Sequence, residues 1–304
     1  MIRNVPLDTD FKAHGVDYMN LGWGAILSVL TDFEHANEWA SGLEPEMAEE
    51  FWDAAERELA TALTLVMQGA EFLLKAKICS VSPWLLVASS PSDWPRRCDK
   101  EDTDYSEFRT IDAHDLIKVH DTFLSSRLPE EFVEVFSNLR RERNSIMHSV
   151  CSDLEVNAKS LIERILVLSE HLVGPQAWAA ARREYIYRDK ISAIDLEHVD
   201  FRVAEEFVLL IELLGAASLK RFFGYNKKQR VYGCPTCSRA YAEFGLECKT
   251  AQLRPNTAGS TTLFCFICGN EVTVERRDCN QGECKGNVYD PDDNQCLTCM
   301  QHQD

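Results

Sequence analysis

Nine of the chain's twelve cysteines fall between Cys234 and Cys299, and that crowding constrains the fold more than any other feature. Cys234-Pro-Thr-Cys237 and Cys265-Phe-Ile-Cys268 are two Cys-x-x-Cys pairs with 27 residues between them. Each pair can wrap two thiolates round one ion, and four thiolates complete the tetrahedral shell that Zn²⁺ prefers. A second set, Cys279, Cys284, Cys296 and Cys299, follows with spacings of 4, 11 and 2 residues. Sequential sites are the simpler arrangement; a cross-braced pairing of the four couples stays open. Cys248 and His302 are left over and are read as non-ligands. Both sets fill every coordination position, so two structural zinc ions and no catalytic metal are expected. With little apolar content, the segment needs those ions to fold. Without an export signal, such clustering reads as metal binding rather than disulfides.

Composition sets the limits for the rest. The chain is 45% hydrophobic and 27% charged, as in a globular protein able to bury a sizeable core. No uninterrupted apolar run reaches the ~18 residues of a membrane span. Met1-Ile2-Arg3-Asn4-Val5-Pro6 lacks a signal peptide's apolar core, so a cytoplasmic protein with no membrane contact is expected. The net charge is −17: residues 1–224 hold 23 Lys+Arg against 39 Asp+Glu, and residues 225–304 hold 9 against 10. That excess of acid argues against broad nonspecific nucleic-acid binding, so a nucleic acid must be held at a local basic site. The acidic remainder suits solubility or a basic partner.

Helical periodicity runs through residues 1–224. An apolar pattern over Asp17 to Asp32 contains Gly22 and Gly24, which weaken the case for an unbroken helix. Pro45 starts a long pattern reaching about Val81, with Met47, Phe51, Ala55, Leu59, Leu63, Val66, Ala70, Leu73 and Leu74 as its buried stripe. Pro83, Pro91 and Pro95 then mark a long loop or lid over Ser82 to Ser106, whose Trp84 and Trp94 pack it down or stack on single-stranded RNA. Helices are predicted over Ala113–Phe123, from Pro129 through the basic stretch described next, over Val156–Val173, Trp178–Tyr187 and Val203–Phe223. Strand-like alternation begins only after Phe223-Gly224-Tyr225. The chain therefore reads as mainly α: a helical bundle over 1–224, then a small zinc-bound, β- and loop-rich domain over 225–304.

The densest basic site is Leu139-Arg140-Arg141-Glu142-Arg143-Asn144-Ser145-Ile146-Met147-His148. On a helix, Asn144 and His148 share one face, and Arg143's long stem can swing its guanidinium toward it. Cations and an imidazole beside an amide suit gripping a phosphodiester and moving protons around it. An ordinary charged helix end, with His148 favoured by the helix dipole, is the plainer alternative. Upstream, Glu71 and Lys75 stand four apart in Gly69-Ala70-Glu71-Phe72-Leu73-Leu74-Lys75-Ala76 and can form a surface ion pair.

The Arg-Asn-x-x-x-His stretch resembles the signature of the HEPN superfamily, and the Glu71–Ala76 stretch is similar to a helix that many HEPN proteins carry. The resemblance covers roughly residues 40–175. It implies a helical bundle and a metal-independent endoribonuclease, dimeric, with two Arg–His motifs facing one cleft. His148 is then the general acid or base, Arg143 stabilises phosphate charge, Asn144 orients, and Glu71 faces and orders the motif. Arg140 and Arg141 are the candidate RNA-binding cations. The family also implies roles as a toxin with an antitoxin or regulatory partner protein, or as an effector in phage defence. The alternative is a non-catalytic helical interaction scaffold whose zinc module docks a partner or nucleic acid.

Overall fold

The computed structural model describes residues 1–88, 90–148, 156–188, 197–237 and 249–302, with the side chains at 148, 197 and 198 excluded. Cys151 and Cys248 therefore lie outside the described residues. The chain separates into two compact units, Met1–Pro175 and Gln176–Asp304.

The first unit is built on a helical hairpin of α1 (Asp8–Trp39) and α2 (Pro45–Cys79). At 1.5 Å per residue these helices are ~48 and ~52 Å long. Glycine sets their approach. A Cβ on Gly69 would stand 2.6 Å from Met19 Cγ and 2.8 Å from the Gly15 carbonyl oxygen, and one on Gly22 would stand 2.7 Å from Val66 Cγ2. Gly22, which weakened the helix on propensity, thus joins the seam of an unbroken one, longer than the predicted 17–32. Apolar side chains from Leu59 to Ile78 fill the core, but Met47, assigned to the buried stripe, is 47% exposed. It lies near the hairpin's free end, where α1 and α2 have little beside them but each other.

Helix α3 (Ala113–Phe123) matches its predicted bounds, and α4 (Glu130–His148) buries Phe132, Phe136 and Leu139, with Ile146 only half-buried. Helix α5 (Ala158–Leu172) starts where Asn157 Oδ1 accepts from the Ser160 N–H at 2.9 Å. Helix α5 packs on α1, α2 and α4, while α3 bridges α2 and α4. The predicted loop over 82–106 contains short 3₁₀ turns. Its residues Thr103–Asp104 (β2) pair in parallel with Ile2–Arg3 (β1). Tyr105 donates to the Pro83 carbonyl at 2.9 Å, Trp84 packs on Tyr105, and Trp94 meets Phe108 edge-on. Both tryptophans make these contacts while staying exposed, at 48% for Trp84 and 39% for Trp94.

The second unit begins with α6 (Trp178–Tyr187) and α7 (Glu197–Leu213). The single helix expected over Val203–Phe223 is two: the chain breaks at Leu214-Gly215, and α8 (Ala216–Phe223) closes on Gly224 at φ +73°. Gly215 accounts for the break, since glycine weakens a helix interior, and Gly224 accepts the left-handed cap at the predicted end. Strands β3 (Ala251–Leu253), β4 (Thr262–Cys265) and β5 (Glu271–Thr273) form an antiparallel sheet with Leu263 opposite Leu253 and Val272. A hairpin of β6 (Tyr289–Asp290) and β7 (Gln295–Cys296) follows. The Phe207 ring of α7 stacks on Phe266 at 5.7 Å, and Tyr225 meets both rings edge-on. These shared aromatics explain why α6–α8 cluster with the cysteine-rich segment. The change at 224/225 marks the end of helical periodicity, while the compact units divide after Pro175.

Among the described residues one helix, α2, is long and apolar enough to cross a membrane by length and composition, with 61% of its most apolar window buried inside the protein. The sequence expectation counted uninterrupted apolar residues, whereas charges at wide intervals leave the mean hydropathy of this window high.

Candidate functional site

Helix packing brings the two upstream and downstream stretches together. Glu71 projects from α2 toward α4, and its Oε1 lies 3.2 Å from Arg143 Nη1. The carboxylate is buried (residue exposure 8%) and the guanidinium half-buried. The approach has ion-pair distance without hydrogen-bond alignment: Glu71 Oε1 and Arg143 Nε are buried and lack a hydrogen-bond partner. Arg143 Nη2 donates to Asn144 Oδ1 at 3.2 Å, which ties the motif's first two residues to each other.

Burial pushes the Glu71 carboxyl above its ordinary range, outweighing the opposing pull of Arg143, Lys75 and Arg140, while Asp112 at the start of α3 pushes the same way as burial. Lys75 therefore contributes charge rather than the surface ion pair its spacing allowed; its Nζ sits 5.9 Å from the Phe72 ring centroid. Asp112, absent from the sequence-based site, is held by Arg109 at 2.9 Å. No local spacing signals it, because its proximity to Glu71 depends on α3 packing against α2. Arg140 makes no ion pair within 4.0 Å among the described residues, whereas exposed Arg141 donates to Asn138 Oδ1 at 2.5 Å. Glu142, on another face of α4, pairs with Arg164 of α5 at 2.5 Å. His148 ends α4, and its side chain lies outside the described residues. The arrangement is one buried acid facing three cations from two helices, beside an exposed amide.

The thiols form two sequential groups: Cys234, Cys237, Cys265 and Cys268, all buried, and Cys279, Cys284, Cys296 and Cys299, of which Cys296 is buried and the other three half-buried. In the first group Cys234 Sγ and Cys268 Sγ are 3.9 Å apart, as are Cys237 Sγ and Cys265 Sγ. The corresponding pairs in the second group are 3.8 Å for Cys279–Cys299 and 4.0 Å for Cys284–Cys296. A tetrahedral ion with metal–sulfur bonds of ~2.3 Å requires sulfurs ~3.8 Å apart, so both groups have metal-site dimensions. Backbone N–H groups already point at the sulfurs, from Ile267 to Cys265 at 3.4 Å and from Gly286 to Cys284 at 3.3 Å. Such donors offset the charge of four thiolates. Glycine is required at 286, where a Cβ would stand 2.8 Å from Cys296 Sγ. Asp200 of α7 meets Cys237 Sγ at 3.9 Å and is itself held by Arg183 at 3.0 Å. His302 hydrogen-bonds the Asp293 carbonyl at 3.0 Å and belongs to neither thiol group.

Comparisons with protein-family models, with curated proteins and with solved structures give no match.

Proposed function

We propose that the C-terminal end of α4 is the centre of a metal-independent endoribonuclease of HEPN type. The observation that carries this reading is the 3.2 Å approach of Glu71 to Arg143, which links the two stretches that resemble the family. Arg143, Arg140 and Lys75 supply the positive field that an RNA phosphate needs in an otherwise acidic chain. Glu71 holds Arg143 in place and leaves Asn144 exposed to orient a phosphate or an imidazole. His148 removes the proton from the 2′-hydroxyl as it attacks phosphorus, or donates one to the departing 5′-oxygen. A histidine near its ordinary pKa of about 6.5 serves either step. Two copies of the chain, each contributing one motif, supply both at once. The products are a 2′,3′-cyclic phosphate and a 5′-hydroxyl. Both thiol groups are proposed to hold zinc as structural ions, since four thiolates leave no position for substrate. A role as a toxin or phage-defence effector with a regulatory partner belongs to the same reading.

The test is cleavage of total cellular RNA by purified protein, with end-group analysis. Arg143→Ala and His148→Ala are expected to keep their helicity and lose at least ~10²-fold in rate. Equal activity in wild type and His148→Ala overturns the reading.

The free end of the α1–α2 hairpin favours a second reading, as an interaction scaffold. Residues 31–58 hold ten Asp or Glu against one Arg, and Trp39 there is 89% exposed. Phe33, Phe51 and Trp52 of the same segment pack their rings together. An intact fold with no ribonuclease activity, together with saturable binding of a basic protein lost on Trp39→Ala, supports this second reading.

A further inference from the structure

The second unit contains a cavity of about 510 Å³ between α6, the end of α8 and the loop that carries Cys268. Its walls include Gln176, Tyr187, Phe223, Arg254, Phe264 and Phe266. The volume lies in the range of small-molecule sites, ~300–1,000 Å³.

Arg254 decides what the cavity can hold. Its guanidinium carbon lies 3.5 Å from the Phe264 ring centroid and 5.1 Å from that of Phe266. Among the described residues this side chain makes no ion pair within 4.0 Å and no hydrogen bond. Burial lowers its pKa from the ordinary arginine value, against the pull of Glu271, so the charge is partly stripped of water. The backbone makes room for it: a Cβ on Gly224 would stand 3.0 Å from Arg254 Nη2 and 3.0 Å from Gln176 Oε1. A guanidinium fixed by an aromatic face keeps its N–H fork free, and that fork matches two oxygens of a phosphate.

The other walls select what the phosphate carries. Tyr187 and Phe223 offer rings for a flat group to pack against. Gln176 Nε2 donates to the Arg221 carbonyl at 3.3 Å, which leaves Oε1 as an acceptor without a donor among the described residues. A planar heterocycle bearing an exocyclic amine and joined to a phosphate meets the fork, the rings and the acceptor together. Of the other charged residues in the wall, Arg183 is engaged by Asp200 and does not compete for the anion, while the exposed Glu184 carboxylate disfavours phosphate on the α6 side and leaves it to Arg254. We propose that this cavity is a nucleotide-binding site, with Arg254 gripping the phosphate and the base packed against Tyr187 and Phe223. The site is independent of the Arg143–His148 motif and goes beyond the ribonuclease reading. The nucleotide is either free or the 5′ end of an RNA strand.

The experiment is calorimetric titration of the full-length, metal-loaded His148→Ala protein, which keeps RNA intact. The probes are AMP, CMP, GMP, UMP, adenosine, inorganic phosphate, a 5′-phosphorylated RNA tetranucleotide and an acidic aromatic peptide. Saturable binding of at least one nucleoside monophosphate is expected, tighter than adenosine or phosphate alone. Arg254→Gln should weaken it at least ~10-fold with metal content and circular dichroism unchanged. Tyr187→Ala alters a residue that is 53% exposed and spares the core; it should weaken nucleotide more than inorganic phosphate. Tetranucleotide binding tighter than mononucleotide assigns the site to an RNA end, and equal binding assigns it to a free nucleotide. Absence of nucleotide binding, indifference to both substitutions, or tighter binding of the peptide overturns the proposal. None of these readouts measures cleavage, so failure here and failure of the ribonuclease reading are separate results.

Discussion

Glu71 Oε1 and Arg143 Nη1 stand 3.2 Å apart although 72 positions separate them in the chain. The pair is asymmetric in its surroundings, because the acid is buried and the base reaches toward solvent. Burial wins over attraction at Glu71, and this has a measurable sign.

The folded-state pKa of Glu71 lies above its ordinary value of 4.5, so the folded protein holds that proton more tightly than the unfolded chain. Its contribution is fully present below about pH 4.5 and is lost as pH rises through the raised value. Against Glu71→Gln, the wild type should therefore lose relative stability in urea denaturation as pH rises above the ordinary value of 4.5. If the wild type gains on the variant over that range, Arg143 dominates and the sign assigned to burial is wrong.

Gly69→Ala should destabilise the first unit by ~1–3 kcal/mol, despite alanine's better helix propensity of ~1 kcal/mol. The added methyl meets backbone at 2.8 Å (Gly15 O) and 2.9 Å (Met19 N), so α1 and α2 must move apart along their seam. Thermal unfolding checks it, and an unchanged or raised midpoint contradicts the close approach.

Two metal ions per chain should be found in fresh protein, because two complete thiol groups of tetrahedral dimensions are present. Cys234→Ser should lower the count to about one, leaving the Cys279–Cys299 group loaded. Retention of two ions in the variant would show that the first group is assigned to the wrong ligands.

A chain ending at residue 175 should unfold cooperatively as a helical domain, since that cut follows the unit boundary. A chain ending at 224 keeps α6–α8 but deprives Phe207 of its Tyr225 and Phe266 partners. It should bind hydrophobic dye and aggregate more readily than the 175-residue fragment. The opposite ranking would place α6–α8 with the first unit after all.

Local chemistry made part of this legible. The bounds of α3 and α6 followed from helical periodicity alone. The two thiol groups followed from spacing, because a chelate between Cys-x-x-Cys pairs needs little from the rest of the chain. Other features depended on tertiary contact. Gly22 reads as a weak helix position, and only its opposition to Val66 across two helices, with Gly15 opposite Gly69, makes it part of a seam. Arg254 is a lone cation in the sequence, and its role appears only once Phe264, Phe266 and Gly224 surround it. Asp112 joins Glu71 through α3, which no local pattern encodes. The end of helical periodicity at 224 and the division of the compact units after Pro175 differ because periodicity distinguishes helix from strand but not which core a helix serves.

The sequential order of the thiol groups has a consequence for metal loading. Every ligand of the first group precedes Cys279, so the first chelate can close without any ligand of the second. Its closure spans 35 residues from Cys234 to Cys268, and the second spans only 21 from Cys279 to Cys299. Neither loop threads the other, so each ion can load or leave without opening its neighbour. Interleaved ligands would have made the first site wait for the last cysteine, and metal scarcity would then leave the whole segment open. Here scarcity can be graded: a chain can hold one ion, in either site, and still keep that half of its thiols closed.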